Sequence, residues 1–300
     1  MNTLKKCLPD IAAVIFFILI SVAYFFVPMT RGEVLYQGDN TAGAGLNKDV
    51  DDHYAKTGDV SHWTNTAFSG MPTYQMRSSY KSTNILNQFV QAYHLWLPQY
   101  VWYLFAYLIG FYILLRAFDF RQMLAALGSV IWAFSSYFLI IIAAGHFWKV
   151  MALAYLPPMI AGIVLAYKGK YLWGLIVTTI FAAFEINANH VQMTYYYLFV
   201  IFFMVLAFLA VAIKNKTLPQ FAKATVVCLI AAALGIAINS TNLYHTWQYQ
   251  KESMRGKSEL ASKTDPSNQT SSGLDRDYIT QWSYGIGETW TLLIPNAKGG

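Results

Sequence analysis

Four groups of polar side chains interrupt long apolar runs in this chain, and each has residue types suited to chemistry. The first begins Tyr36-Gln37-Gly38-Asp39-Asn40. It continues through Asp49, Asp51, Asp52, His53 and Tyr54 to Trp63 and the stretch Phe68 to Gln75. Asp39 follows a glycine, which lets the backbone turn at little steric cost. A carboxylate there suits a general base, and equally a solvated loop aspartate. The Asp49, Asp51 and Asp52 run reads as a solvated face or a helix start rather than an oxygen-ligated metal site.

The second group is Gly145-His146-Phe147-Trp148-Lys149. Its Lys149 supplies a point charge and His146 a second donor when protonated, a pairing suited to phosphate. A lysine snorkelling to lipid headgroups beside a Trp anchor explains the same residues. The third group runs from Glu185 to Gln192 and includes Asn187, Asn189 and His190. Glu185 lies just inside an apolar run, where ionisable residues usually face an interior site. His190 and Gln192 open the next apolar run, and a helix N-terminus there favours an anion. Without a ligand, the same polar groups would form an interhelical hydrogen-bond network. The fourth group is Asn239 to Asn242 with His245, followed by Trp247, Tyr249 and Arg255. Rings among polar groups suit a sugar face and suit a bilayer interface equally well. His146, His190 and an aspartate could also hold a divalent ion, although no HxxxH or CxxC spacing supports it. A divalent metal is therefore the one cofactor left open.

The elements that must position these groups are membrane spans. The 300 residues are 56% hydrophobic, 17% aromatic and only 12% charged, where soluble domains carry about 25% charged residues. Apolar runs near 10–27, 100–115, 123–144, 150–167, 172–186, 191–213 and 221–238 predict about seven transmembrane helices and an all-α polytopic fold. Pro157-Pro158 predicts a kink within the fourth. The first is read as a retained helix, because Val27 to Arg31 makes a poor signal-peptide cleavage site.

The gaps between runs alternate. Lys5, Lys6, Arg116, Arg121, Lys168, Lys170, Lys214, Lys216 and Lys223 fall in one set, beside only Asp10 and Asp119, for a net charge of +7. The other set carries twelve basic and thirteen acidic residues, a net of −1, and all four polar groups. Basic short loops stay cytoplasmic, so the N-terminus is expected inside and the polar groups outside, across a cytoplasmic membrane. The basic excess is thus a topology signal and gives no support to nucleic-acid binding. Residues 1–239 are read as the membrane domain, with 28–98 as a long polar outer loop. Residues 240–300 are read as an extracytoplasmic segment: polar from Lys257 to Asp277, then aromatic at Tyr278, Trp282, Tyr284 and Trp290, with Leu292 and Leu293. Cys7 and Cys228 are apolar fillers, with no disulfide framework in the outer segments.

Taken in order, Asp39, Phe68 to Pro72, Gly145-His146 with Lys149, and Asn189-His190-Val191-Gln192-Met193-Thr194-Tyr195 resemble the YfhO family of bacterial membrane proteins. Members are typically much longer, so the chain is read as an N-terminal portion. The resemblance implies a glycosyltransferase of the GT-C architecture. Such enzymes draw a sugar from a polyprenyl-phosphate donor and pass it to a cell-envelope glycopolymer or lipid on the outer face. It implies Asp39 as the catalytic aspartate of the first outer loop. Here Asn40 follows Asp39, in place of the Asp-Glu pair of the protein mannosyltransferase branch. On that footing Lys149, His146 and His190 would bind the lipid phosphate, while Glu185, Asn187, Asn189 and Gln192 would position substrate. The alternatives are a transporter or flippase for a lipid-linked or anionic solute, and a non-catalytic envelope assembly protein.

Overall fold

The computed structural model describes residues 2–33, 36–73 and 81–251, with 277, 280–281, 283, 285–292 and 297–298. The described residues are nearly all helical. In order they form α1 (Asn2–Tyr24), α2 (Phe26–Arg31), α3 (Gly38–Thr57), strands β1 (Trp63–Thr64) and β2 (Met71–Pro72), α4 (Lys81–Tyr93) and α5 (Gln99–Ala117). Then follow α6 (Gln122–Ala133), α7 (Ser136–Ala144), α8 (Phe147–Tyr167), α9 (Tyr171–Asn187), α10 (Val191–Lys214), α11 (Leu218–Ile238) and α12 (Ser240–Gln250). The chain divides into a unit of Met1–Asn242 and a second unit of Leu243–Gly300. In the second unit the described helical segments are the remainder of α12 and a single 3-10 turn, Glu288–Leu292. Arg255, residues 257–276, Tyr278, Trp282, Tyr284 and Leu293 lie outside the described residues, as do Val34, Leu35, Tyr74 and Gln75.

Five helices, α1, α5, α8, α10 and α11, are long and apolar enough to cross a membrane. The pair α6 and α7 makes a sixth if read as one span, although it is bent by 49°. The run expected as one straight span over 123–144 is therefore broken. Phe134 and Ser135 carry the break, the Phe134 amide still reaching back to Val130 and the Ser135 amide to Trp132 before α7 restarts. α9 is apolar but has only 17 residues, at the lower limit for a crossing. Across Pro157 and Pro158 helix α8 continues without a break in its assignment.

α8 is the axle of the bundle. α5 and α9 pack against it, α11 packs on α9, and α1 and α6 pack on α5. Lipid is as apolar as a leucine side chain, so helices inside a membrane gain little from apolar character alone. They associate where small residues let backbones approach. Such residues mark the contacts of α8 with α5 and α9 and of α9 with α11. A Cβ at Gly110 of α5 would stand 2.6 Å from the Ala154 carbonyl of α8, and one at Gly174 of α9 would stand 2.7 Å from Ala166 of α8. One at Gly235 of α11 would stand 2.9 Å from Ala182 of α9. By contrast α10 buries only Ala212, and presents Phe199, Phe202, Phe203 and Leu206 outward. An apolar helix exposed around most of its surface belongs against lipid or another apolar partner.

At one end of the bundle the basic loops are tied in. Arg116 Nε and the Tyr112 hydroxyl both donate to Asp10 Oδ1, at 3.0 and 2.6 Å, joining α5 to α1. Lys168 donates to Asp119 and to the Ala117 carbonyl. The 28–98 segment, expected as a polar loop, is largely structured. Asp49 on α3 accepts from the Thr64 hydroxyl at 2.7 Å and from the Asn65 amide, anchoring the β-hairpin to the helix. The Thr64 hydroxyl holds the Asp49 carboxyl below the usual aspartate range. Its contribution to stability is therefore present above that range and lost as the solution is acidified through it.

Replacing Gly174 with leucine should overpack the α8–α9 contact and cost about 1–3 kcal/mol. It should lower Tm in detergent by several degrees. Leu172→Ala, at a side chain 66% exposed, should leave Tm nearly unchanged. Equal shifts for the two variants would refute close packing at that glycine.

Candidate functional site

At the end of the bundle opposite the Asp10 and Asp119 pairs, a cleft of about 1210 Å³ opens within the first unit. The starts of four helices line it, together with one side of α3 as far as Asp51. Asp39 and Asn40 belong to the first turn of α3, Gln99 and Tyr100 to that of α5, Phe147, Trp148 and Lys149 to that of α8, and His190 is the N-cap of α10. A helix start carries unpaired N–H groups and the positive end of the helix dipole. Four of them around one space make a site suited to anions before any side-chain charge is counted.

How α3 reaches this place is a local matter of satisfying a buried side chain. The Gln37 carboxamide is buried, and its amide donates to the Ile142 carbonyl of α7, which also takes the Gly145 N–H at the helix end. Asn40 in turn donates to the Gln37 side-chain oxygen. The approach is possible because residue 145 is glycine. Its φ is +86°, and a Cβ there would stand 2.8 Å from Gln37 Cβ. The turn between α7 and α8 and the start of α3 are thereby held together.

This contact brings Asp39 against His146, with Oδ2 and Nδ1 3.0 Å apart. Nδ1 is therefore the donor of the imidazole toward Asp39, which leaves Nε2 to accept when the ring is neutral and to donate when it is charged. Both side chains remain open to solvent. His190 is half-buried. Its Nδ1 accepts from the Met193 amide at 3.3 Å, capping α10 and leaving Nε2 as the donor of the neutral ring. Burial, then the positive fields of Lys149 and His146, hold His190 below the usual imidazole range. Lys149, His146 and His190 all line the cleft.

The structure thus collects Asp39, His146, Lys149 and His190 on one cleft, and leaves other expected members outside its lining. Glu185 is fully buried in α9. Its Oε1 accepts from the Thr194 hydroxyl at 3.2 Å, and its Oε2 has no hydrogen-bond partner. The same hydroxyl lies 3.4 Å from the His190 carbonyl and shares its single proton between the two oxygens, so Glu185 is joined to the cleft wall by one side chain. Asn187 donates to Asn87 at 3.0 Å, pinning α4 to the end of α9. Gln192 is exposed and donates to the Tyr196 hydroxyl at 2.9 Å. Asn189 has φ +56° and forms the turn before His190. Asn239 is buried and donates to carbonyls of α9 and α11, while Asn242 is buried with its Oδ1 unpartnered. Among the described residues no three His, Cys, Asp or Glu side chains converge as a metal-ligand set.

Asn47, Gln99 and Tyr100 line the cleft with no site reading in the sequence, and Gln37 is read there only as a member of the first polar group. The available signal was the spacing of Asn40, Asn47 and Asp51, which lines one side of a helix only once 38–57 is taken as helical.

Removing the Lys149 charge should make His190 easier to protonate. Lys149→Gln should therefore raise the His190 titration midpoint, read from its ring resonances by NMR. An unchanged midpoint would place Lys149 away from His190. The same sign applies to ligands. A bound phosphate should take up a proton at His190 and bind more tightly as pH falls toward the ordinary imidazole range.

Comparison of the chain with protein-family models, curated proteins and solved structures yields no match.

Proposed function

We propose that this chain acts as a membrane glycosyltransferase of the GT-C type. In this reading a sugar passes from a polyprenyl-phosphate donor to a cell-envelope glycopolymer or lipid acceptor on the outer face of the cytoplasmic membrane. The observation that carries the reading is one cleft at the end of an apolar bundle, where a carboxylate–imidazole pair adjoins Lys149, His190 and four helix starts. The +7 of the loops assigned to the cytoplasm supports an extracytoplasmic cleft. The likeness to the YfhO family adds the donor and acceptor classes.

The chemistry follows from the charges. The acceptor hydroxyl gives its proton to Asp39 as its oxygen attacks the anomeric carbon. The bond from that carbon to the phosphate oxygen breaks, and its electron pair stays on the polyprenyl phosphate. Lys149, His190 and protonated His146 stabilise the growing negative charge, and the helix starts add fixed dipoles that need no reorganisation. His146 keeps Asp39 oriented through Nδ1 while Nε2 is left to the phosphate. The lipid tail lies along the exposed apolar helices. Glu185, Asn187, Asn189 and Gln192 hold the surrounding helix ends in register rather than touching substrate.

A transporter is the second reading, and two observations favour it: the 49° break between α6 and α7, and a buried Glu185 with one unpartnered oxygen. Broken helices and interior polar groups mark transport sites. Asp39→Asn should lower sugar transfer by about 10²–10⁴, assayed in proteoliposomes with a polyprenyl-phosphate sugar. Full transfer by that variant would overturn the assignment. Uptake of the lipid-linked solute with no transfer by the wild type would establish the second reading.

A further inference from the structure

The cleft is larger than one small ligand needs. Sites for single small molecules occupy roughly 300–1,000 Å³, and this one has about 1210 Å³. Its chemistry is also divided. The cationic groups come from the start of α8, the turn before it and the N-cap of α10, whereas α3 contributes Asn40, Gly43, Ala44, Asn47 and Asp51 to the lining. These positions recur at three- and four-residue intervals, so they form one stripe along the helix. Lys48, the neighbouring cation of α3, is outside the lining and pairs with Asp52 at 3.0 Å. The Asp51 carboxylate on this wall disfavours phosphate, and its carboxamides offer hydrogen bonds to neutral hydroxyls.

Two details of this stripe lack a packing explanation. Gly43 lies inside a 20-residue helix, where glycine is less favourable than alanine. A Cβ there would meet nothing within 4 Å, so no neighbouring atom requires its absence. Asn47 donates its amide to the Gly43 carbonyl at 2.8 Å, yet its side-chain oxygen is buried without a partner. An orphaned acceptor on the wall of an open cleft is most simply completed by a ligand donor. Tyr100, Phe147 and Trp148 also line the space and supply rings for the apolar face of a sugar.

We propose that the trough along α3, with Gly43 and Ala44 as its floor and Asn40, Asn47 and Asp51 as its polar contacts, binds a neutral saccharide: the acceptor of the transfer reaction. The assignment rests on the glycosyltransferase reading for the word acceptor, but not for the saccharide site itself. A ligand hydroxyl donates to Asn47 Oδ1, and a ring of the same saccharide lies over the glycine. A free glycan and a lipid-linked glycan present the same chemistry to this trough.

The test uses the full chain in nanodiscs. The probes are neutral trisaccharides ending in glucose, galactose, mannose or N-acetylglucosamine, each free and linked to an alkyl chain, with polyprenyl phosphate as a separate probe. Asn47→Ala should weaken saccharide binding about tenfold, the loss of one good hydrogen bond, and leave polyprenyl phosphate binding unchanged. Lys149→Gln should do the reverse. Gly43→Ala should raise Tm by about 2 °C and still weaken saccharide binding, an outcome a merely structural glycine would not give. Preference for the free or the alkylated probe tells which source the trough serves. Wild-type saccharide affinity in both Asn47→Ala and Gly43→Ala, or binding of none of the probes by the wild type, overturns the proposal. Saccharide binding through α3 with no sugar transfer would leave this site standing and remove the transferase reading instead.

Discussion

The Gln37 side chain carries a structural task out of proportion to its size. It enters the protein at the end of α7, where its amide donates to the Ile142 carbonyl beside the Gly145 N–H. A buried carboxamide without partners is costly. The Ile142 carbonyl therefore answers its amide, and Asn40 completes its oxygen. The outcome is that α3, a polar helix with little apolar surface of its own, starts at a defined point on the bundle. Asp39, two residues beyond Gln37, is carried to within 3.0 Å of His146 by that docking. Gly145 is its sterically obligatory counterpart, since any side chain there would occupy the space of Gln37.

Beneath this contact, the bundle is organised by close approach rather than by amphipathic faces. α5 and α8 are buried on nearly every side, and glycines mark the contacts of α8 with α5 and α9 and of α9 with α11. Such contacts are rigid, because no side chain stands between backbones to absorb a displacement. Rigid helices with their starts at one end give a fixed arrangement of positive dipoles around the cleft. A site that stabilises developing negative charge gains from this, since preorganised dipoles need not turn during the reaction. Glu185 is part of the same architecture at one remove. It is linked through Thr194 to the His190 carbonyl, so the wall of the cleft and the interior of the bundle share one hydrogen-bonded side chain.

Some of this was legible in the residues, and the reasons differ from element to element. The apolar runs announce α5, α8, α10 and α11 because a membrane-crossing helix needs about 20 apolar residues and little else in the protein does. The break between α6 and α7 was hidden, since Phe134 and Ser135 are apolar or neutral and neither is a proline or glycine. α3 was read as loop because periodicity methods look for apolar stripes, and its stripe is polar, facing a cleft rather than a core. Asn187 and Gln192 looked like site residues by composition. In the fold Asn187 reaches across to Asn87, while Gln192 pairs with Tyr196, a partner one turn along its own helix.

By itself the order of residues determined which segments are helical and apolar, and which loops gather the basic charge, because those properties depend on composition and near-neighbour spacing. Tertiary structure alone decided that the carboxylate of α3 meets the imidazole before α8, that four helix starts surround one space, and that Asn47 is left with an unanswered acceptor. Each of these joins positions tens to more than a hundred residues apart. The joining depends on which buried backbone group finds which side chain, a three-dimensional condition that no local pattern encodes.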